Sequence, residues 1–133
     1  MARIGPFICM LALAAAAAGC GGGNDAEDAE ATVREFVTAV NERDADTYCD
    51  DLITDEFREQ STFSEGDEAR ASCKSTLRAI KGLRIELVRI ARTRVDGDKA
   101  TVTAVLRRSG TPIRQRFQLE KDGGDWKIAG GAQ

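Results

Sequence analysis

Histidine is absent from this chain of 133 residues. That removes the side chain best suited to acid–base work at neutral pH, and with it the commonest metal ligand. No Cys-x-x-Cys pair occurs, and no cysteine has neighbours at zinc-ligand spacing. Metal binding and thiol redox catalysis therefore have no motif to rest on, and no cofactor is implied. Tyrosine occurs once, at Tyr48, and tryptophan once, at Trp126. An acid–base enzyme built from this sequence would need Asp or Glu as base, with Tyr48 as proton donor. Such a carboxylate would have to be buried and its pKa raised to act near neutrality. The one long apolar run, Ile4–Ala18, falls short of the roughly 20 residues that a membrane helix needs. The net charge of −3 argues against general nucleic-acid binding.

What is present begins with that run. Arg3 precedes it, and Gly19-Cys20 and three glycines follow it. A basic start, an apolar centre and a small-residue exit are the marks of a secretory signal peptide. The Leu13–Cys20 stretch resembles a bacterial lipobox, ending Ala17-Ala18-Gly19-Cys20. The resemblance implies cleavage after residue 19 and acylation of Cys20. The expected organisation is a signal peptide over 1–19, a lipidated cysteine and glycine tether over 20–24, and one domain over 25–133. The expected address is the bacterial cell envelope. There the protein would be held by lipid on the outer face of the cytoplasmic membrane, or in the outer membrane of a diderm cell.

Cysteine usage agrees with export. Cys9 leaves with the leader and Cys20 carries lipid, so Cys49 and Cys73 remain as an even pair in an oxidising compartment. A disulfide between them closes a loop of about 24 residues, worth roughly 3–4 kcal/mol by loop-closure entropy.

Apolar residues of the mature chain recur first at helical and then at strand spacing. Asp25 is placed to cap a first helix carrying Ala29, Val33, Phe36, Val37 and Val40 on one face. Asp44 or Asp46 starts a short second helix with Tyr48, Cys49, Leu52 and Ile53. Ser61–Gly66 reads as a loop whose Phe63 folds back onto the core, with a very short extra strand as an option near Phe57 or Phe63. A third helix from Asp67 or Glu68 carries Ala69, Cys73, Leu77 and Ile80 and ends at Gly82. Leu83–Leu87 then alternates, and Val88 and Ile90 take the opposite parity, as a β-bulge would require. Turns at Asp96-Gly97, Ser109-Gly110 and Asp122-Gly123 divide the remainder into an antiparallel meander of about four strands.

Three segments resemble the nuclear transport factor 2-like superfamily, also called SnoaL-like or cystatin-like, and in particular small bacterial lipoproteins of that fold. They are the helix opening at Ala31-Thr-Val-Arg-Glu-Phe-Val, the Val95-Asp-Gly-Asp-Lys-Ala hairpin and the terminal Gly124-Asp-Trp-Lys-Ile. The resemblance implies an α+β fold: three N-terminal helices packed on a curved antiparallel sheet that forms a cone and can leave a pocket. Members include isomerases, dehydratases, dimerisation modules and ligand-binding domains. The superfamily's isomerases place a tyrosine and aspartates inside the pocket, and no aspartate here matches that arrangement residue by residue. No catalytic residue is assigned.

Two candidate sites follow. Tyr48, Phe117 and Trp126 are candidates to line a ligand pocket. Arg92, Arg94, Arg107, Arg114 and Arg116 are candidates for a partner surface on the sheet, opposite the Ile113–Phe117–Leu119 face. Residues 20–82 carry 16 acidic and 7 basic side chains, residues 83–133 carry 6 and 11. The basic excess thus sits on the strands. The leading expectation is a non-catalytic module, anchored by acyl lipid, that binds an envelope protein or a small apolar ligand, with a homodimer as a further option. The alternative is a pocket enzyme of the SnoaL or ketosteroid isomerase type.

Overall fold

The structure, a computed structural model, describes residues 24–132. The segment expected to be a leader, with Cys20 and Gly21–Gly23, lies outside the described residues.

Helix α1 (Asp25–Glu42) buries Ala29, Val33, Val37, Ala39 and Val40. Asp25 is its first residue rather than its cap. Together with Glu27 and Asp28 it places negative charge at the positive end of the helix dipole. Arg43 ends the helix in a left-handed conformation, φ 58°. Its guanidinium donates to the carbonyls of Val40, Ile80 and Leu83, which fastens the helix end to the chain entering the sheet.

The expected second helix is a π-helix, Thr47–Leu52. Asp44 starts it: both carboxylate oxygens accept from Thr47, and its carbonyl accepts from the Tyr48 N–H at 3.0 Å. Ile53 lies outside the helix, extended, in a one-residue parallel bridge with Ile128. Helix α2 (Asp55–Thr62) occupies much of the expected loop and is capped by the Thr54 hydroxyl, which accepts from Phe57 N. Phe57 is therefore helical and forms no extra strand. Phe63 sits at φ 55° with 96% of its surface exposed, so it does not return to the core. Helix α3 (Gly66–Ala79) buries Ala69, Cys73 and Leu77.

Strands β1 (Ile85–Asp96), β2 (Lys99–Arg108), β3 (Thr111–Asp122) and β4 (Asp125–Ala132) form an antiparallel sheet in the order of the chain. The bulge expected at Val88 is present as a register shift between Leu87 and Arg89, and a second lies between Ile90 and Arg92. The inner face carries Ala100, Val102, Ala104 and Leu106 from β2, Phe117 and Leu119 from β3, and Trp126 and Ile128 from β4. These pack on Ala29, Val33 and Val37 of α1 and on Cys49, Ile53 and Cys73. Each large side chain buried there contributes about 1.5–3 kcal/mol.

The expected shape of the sheet is overturned as well. The sheet is not the curled cone that the family resemblance implied. β1 and β4 are its two edges and do not pair with each other, so the sheet is open. Alternation along each strand dictates which face is apolar. It carries no information about pairing between the first strand and the last, and here Ile53 rather than β1 meets β4 on its outer side.

Candidate functional site

A cavity of about 240 Å³ lies between the inner sheet face and the helices, towards the β2–β3 turn. Leu106, Ile113, Phe117 and Ile128 line it from the sheet, and Phe36, Tyr48 and Phe57 from the helices. The Phe36 ring meets Tyr48 at 5.5 Å and packs edge-on to Phe117 at 5.3 Å. Arg108 and Gln115 are the polar side chains on the wall besides Tyr48, and no Asp or Glu lines it. Burial raises the Tyr48 hydroxyl above the ordinary tyrosine pKa. It therefore stays protonated through the physiological range as a neutral donor.

Several local devices hold this wall in place. Asn41 donates to the Ile85 carbonyl at 2.7 Å and accepts from the Ile85 N–H at 2.8 Å. A helix side chain thereby does what a neighbouring strand would do for the first residue of β1, which lines the cavity. Tyr48 precedes Cys49, which is joined to Cys73 of α3 as expected. Beside the disulfide, the Lys74 ammonium meets Asp50 at 2.8 Å and Asp46 at 3.0 Å. Hydrogen bonds to Asp50 and then Asp46 raise the Lys74 pKa. Arg58, 3% exposed, donates to the Cys49 carbonyl and to Asp55, both at 2.6 Å. The π-helix is thus tied from two sides. Gly130 and Gly131 complete the wall. A Cβ on Gly131 would lie 3.0 Å from Gln115 Nε2, so a larger residue there takes up cavity space.

Of the three residues expected in a pocket, Tyr48 and Phe117 line this cavity and Trp126 does not. Trp126 is buried at the other end of the sheet, beside Thr32, which donates to its carbonyl at 3.2 Å. The Lys121 ammonium sits 5.4 Å from its ring centre and pairs with Asp25 at 2.8 Å. Phe36, Phe57, Ile113 and the two glycines were not singled out from the sequence. Helical spacing marks Phe36 as inward-facing, but nothing in a sequence separates cavity wall from filled core.

The outer sheet face carries the arginines. Register places Arg92 beside Thr103 and Thr103 beside Arg116, and Arg94 lies beside Thr101. Arg92, Arg94, Arg114 and Arg116 line one shallow groove. The first register shift also brings Arg89 onto this face, in line with Val105 and Arg114. Among the described residues, these five guanidinium groups have no carboxylate partner. Arg107, expected with them, stands opposite Glu86 and pairs with it at 2.9 Å. It is neutralised at the far end of the sheet.

Among the described residues, no group of three or more His, Cys, Asp or Glu is placed to hold a metal ion. No described helix is long and apolar enough to cross a membrane.

No family model and no curated protein matches the chain. Solved structures do. An uncharacterised protein with a cystatin-like fold from Caulobacter vibrioides matches with a TM-score of 0.60 at 16% identity, over 82% of this chain and 87% of that one. A protein of unknown function with a cystatin-like fold from Nostoc punctiforme matches with a TM-score of 0.57 at 17% identity, over 80% and 87%. An NTF-2 like protein of unknown function from Silicibacter pomeroyi matches with a TM-score of 0.51 at 15% identity, over 79% and 90%. The likeness is to the cystatin-like, NTF2-like fold. At these identities the likeness concerns the fold alone.

Proposed function

We propose that the chain is a lipid-anchored, extracytoplasmic binding module that holds a small apolar ligand and performs no chemistry on it. The observation that carries this reading is the cavity wall: mostly aromatic and aliphatic, with Tyr48, Gln115 and Arg108 as its polar side chains and no carboxylate. No Asp or Glu stands on that wall to serve as a general base. The Tyr48 hydroxyl, Gln115 and Arg108 can orient a ligand, and the apolar wall supplies the driving force. At about 240 Å³ the space suits a ligand smaller than most drug-sized molecules. The anchor rests on the Ile4–Cys20 segment.

Titration with indole, followed by backbone amide NMR, tests the ligand reading. Shifts confined to Ile113, Gln115, Gly130 and Gly131 are expected. Shifts scattered over the surface, or none at saturating probe, would remove it. Mass spectrometry of the protein extracted from membranes tests the anchor: an acylated Cys20 at the N-terminus is expected, and a retained Met1–Gly19 segment would overturn it.

A further inference from the structure

We infer that the outer sheet face is a docking surface for an anionic lipid bilayer, on which the domain lies flat with its helices turned away. Arg89, Arg92, Arg94, Arg114 and Arg116 share that face on two strands flanking β2. With strands about 4.8 Å apart and residues rising about 3.3 Å, the five charges span roughly 10 by 15 Å. Between them lie Thr101, Thr103 and Val105 of β2. A protein-binding hot spot is centred on a buried aromatic or apolar anchor, and this face has none larger than Val105. Headgroup phosphates require no such anchor. They need positive charge and N–H donors spread over an area, which is what unpaired guanidinium groups provide.

A second copy of the chain fits the face poorly, because a two-fold contact would bring arginines against arginines. The charge of the neighbouring end fixes the orientation. Asp96, Asp98, Asp122 and Asp125 cluster at the two hairpins, and Asp25 and Asp28 stand where α1 begins; Lys121 pairs with Asp25, Lys127 with Asp122, and Lys99 lies opposite Asp96, so the end keeps an acidic excess of three. Those carboxylates oppose an end-on approach to an anionic surface, although the chain leading to Cys20 enters at that end. With the sheet face down, the arginines meet the bilayer. The cavity, lined from the inner face, stays uncovered. The proposal takes only the nearness of a membrane from the envelope reading, and neither the cavity nor acylation enters its test.

Among the described residues the core spans 29–128, so the test uses residues 24–133, without the anchor segment. Co-sedimentation of that domain with vesicles of phosphatidylglycerol in phosphatidylcholine, against phosphatidylcholine alone, reads the interaction. Binding only to the anionic vesicles, weakened by added salt, is expected. Arg114→Glu with Arg116→Glu should lower partitioning about tenfold or more, and Arg92→Glu with Arg94→Glu similarly. A charge-matched control on the helices, Arg34→Glu with Arg78→Glu, should stay within about twofold of the parent. Circular dichroism on each variant confirms that it is folded. Lysine at 114 and 116 should preserve binding, since a headgroup layer reads charge rather than a guanidinium fork. Equal binding to both vesicle types, or binding untouched by the glutamate pairs, overturns the proposal. Loss of binding in the lysine variant also overturns it, because a diffuse headgroup layer would accept either cation. So does a dimer, seen by light scattering, that the Arg114→Glu and Arg116→Glu pair abolishes.

Discussion

The two faces of one sheet use the same strands in opposite ways. On β3, Ile113, Phe117 and Leu119 point inward while Arg114 and Arg116 point outward. The inner residues are held by what packs on them: α1, the π-helix and the disulfide that pins it. The outer residues are held by backbone pairing alone, and their side chains meet solvent. The inner face therefore carries stability and shape, while the outer face carries charge almost without structural obligation. A fold can tune its partner surface and its cavity separately when alternate residues of a strand serve them.

The largest effects should fall on the inner face. Leu119→Ala, at a site 1% exposed, is expected to cost about 3 kcal/mol in denaturant unfolding. Arg114→Ala with Arg116→Ala should change stability by less than about 0.5 kcal/mol. Equal losses would erase the distinction between the faces. Next, serine at both Cys49 and Cys73 should lower stability by roughly 3 kcal/mol, with no further loss when the parent is already reduced. The Tyr48 and Gly131 amide resonances would show whether the cavity wall loosens with it. Third, Gly131→Val should weaken indole binding about tenfold by placing methyl groups into the cavity; unchanged affinity would put the ligand elsewhere.

The smallest effect concerns pH. Tyr48 is the single tyrosine, so phenolate absorbance reports one site. Its folded pKa is raised by burial. The unfolded chain therefore ionises first, and stability falls as pH rises past the ordinary tyrosine value of about 10 towards the folded one. The folded midpoint should rise further with indole bound. A midpoint at or below the free-tyrosine value would mean that the hydroxyl is solvated.

Much of this was legible in the chain. Periodicity gave α1 and the inner face of β2, and the parity change at Val88 gave the bulge. Cys49 and Cys73, the two cysteines left once Cys9 and Cys20 are assigned to the expected leader and lipobox, gave the disulfide. The misreadings of the arginine face and the cavity wall share a physical cause: both depended on pairing between distant residues. Arg107 looks like Arg114 until the register sets Glu86 opposite it. Trp126 and Phe117 are both buried strand aromatics, and only the packing of Phe36 and Tyr48 puts one of them on the cavity. The π-helix has no composition of its own, since one changed hydrogen-bond register separates it from an α-helix. Phe63 faces outward because α2 ends there in a left-handed turn, against the usual pull of an aromatic side chain inward.

An open sheet raises the question of what stops its edges from recruiting strands of other molecules, a hazard that grows when proteins are crowded on a surface. The bridge between Ile53 and Ile128 answers it on one side. The Thr54 N–H, donating to the Ile128 carbonyl at 3.0 Å, blunts β4 with a short segment that offers no ladder to extend. On the other side, two register shifts interrupt β1, and its arginines repel a like strand. The fold thus forgoes closure into a barrel without leaving a long, uninterrupted ladder at either edge.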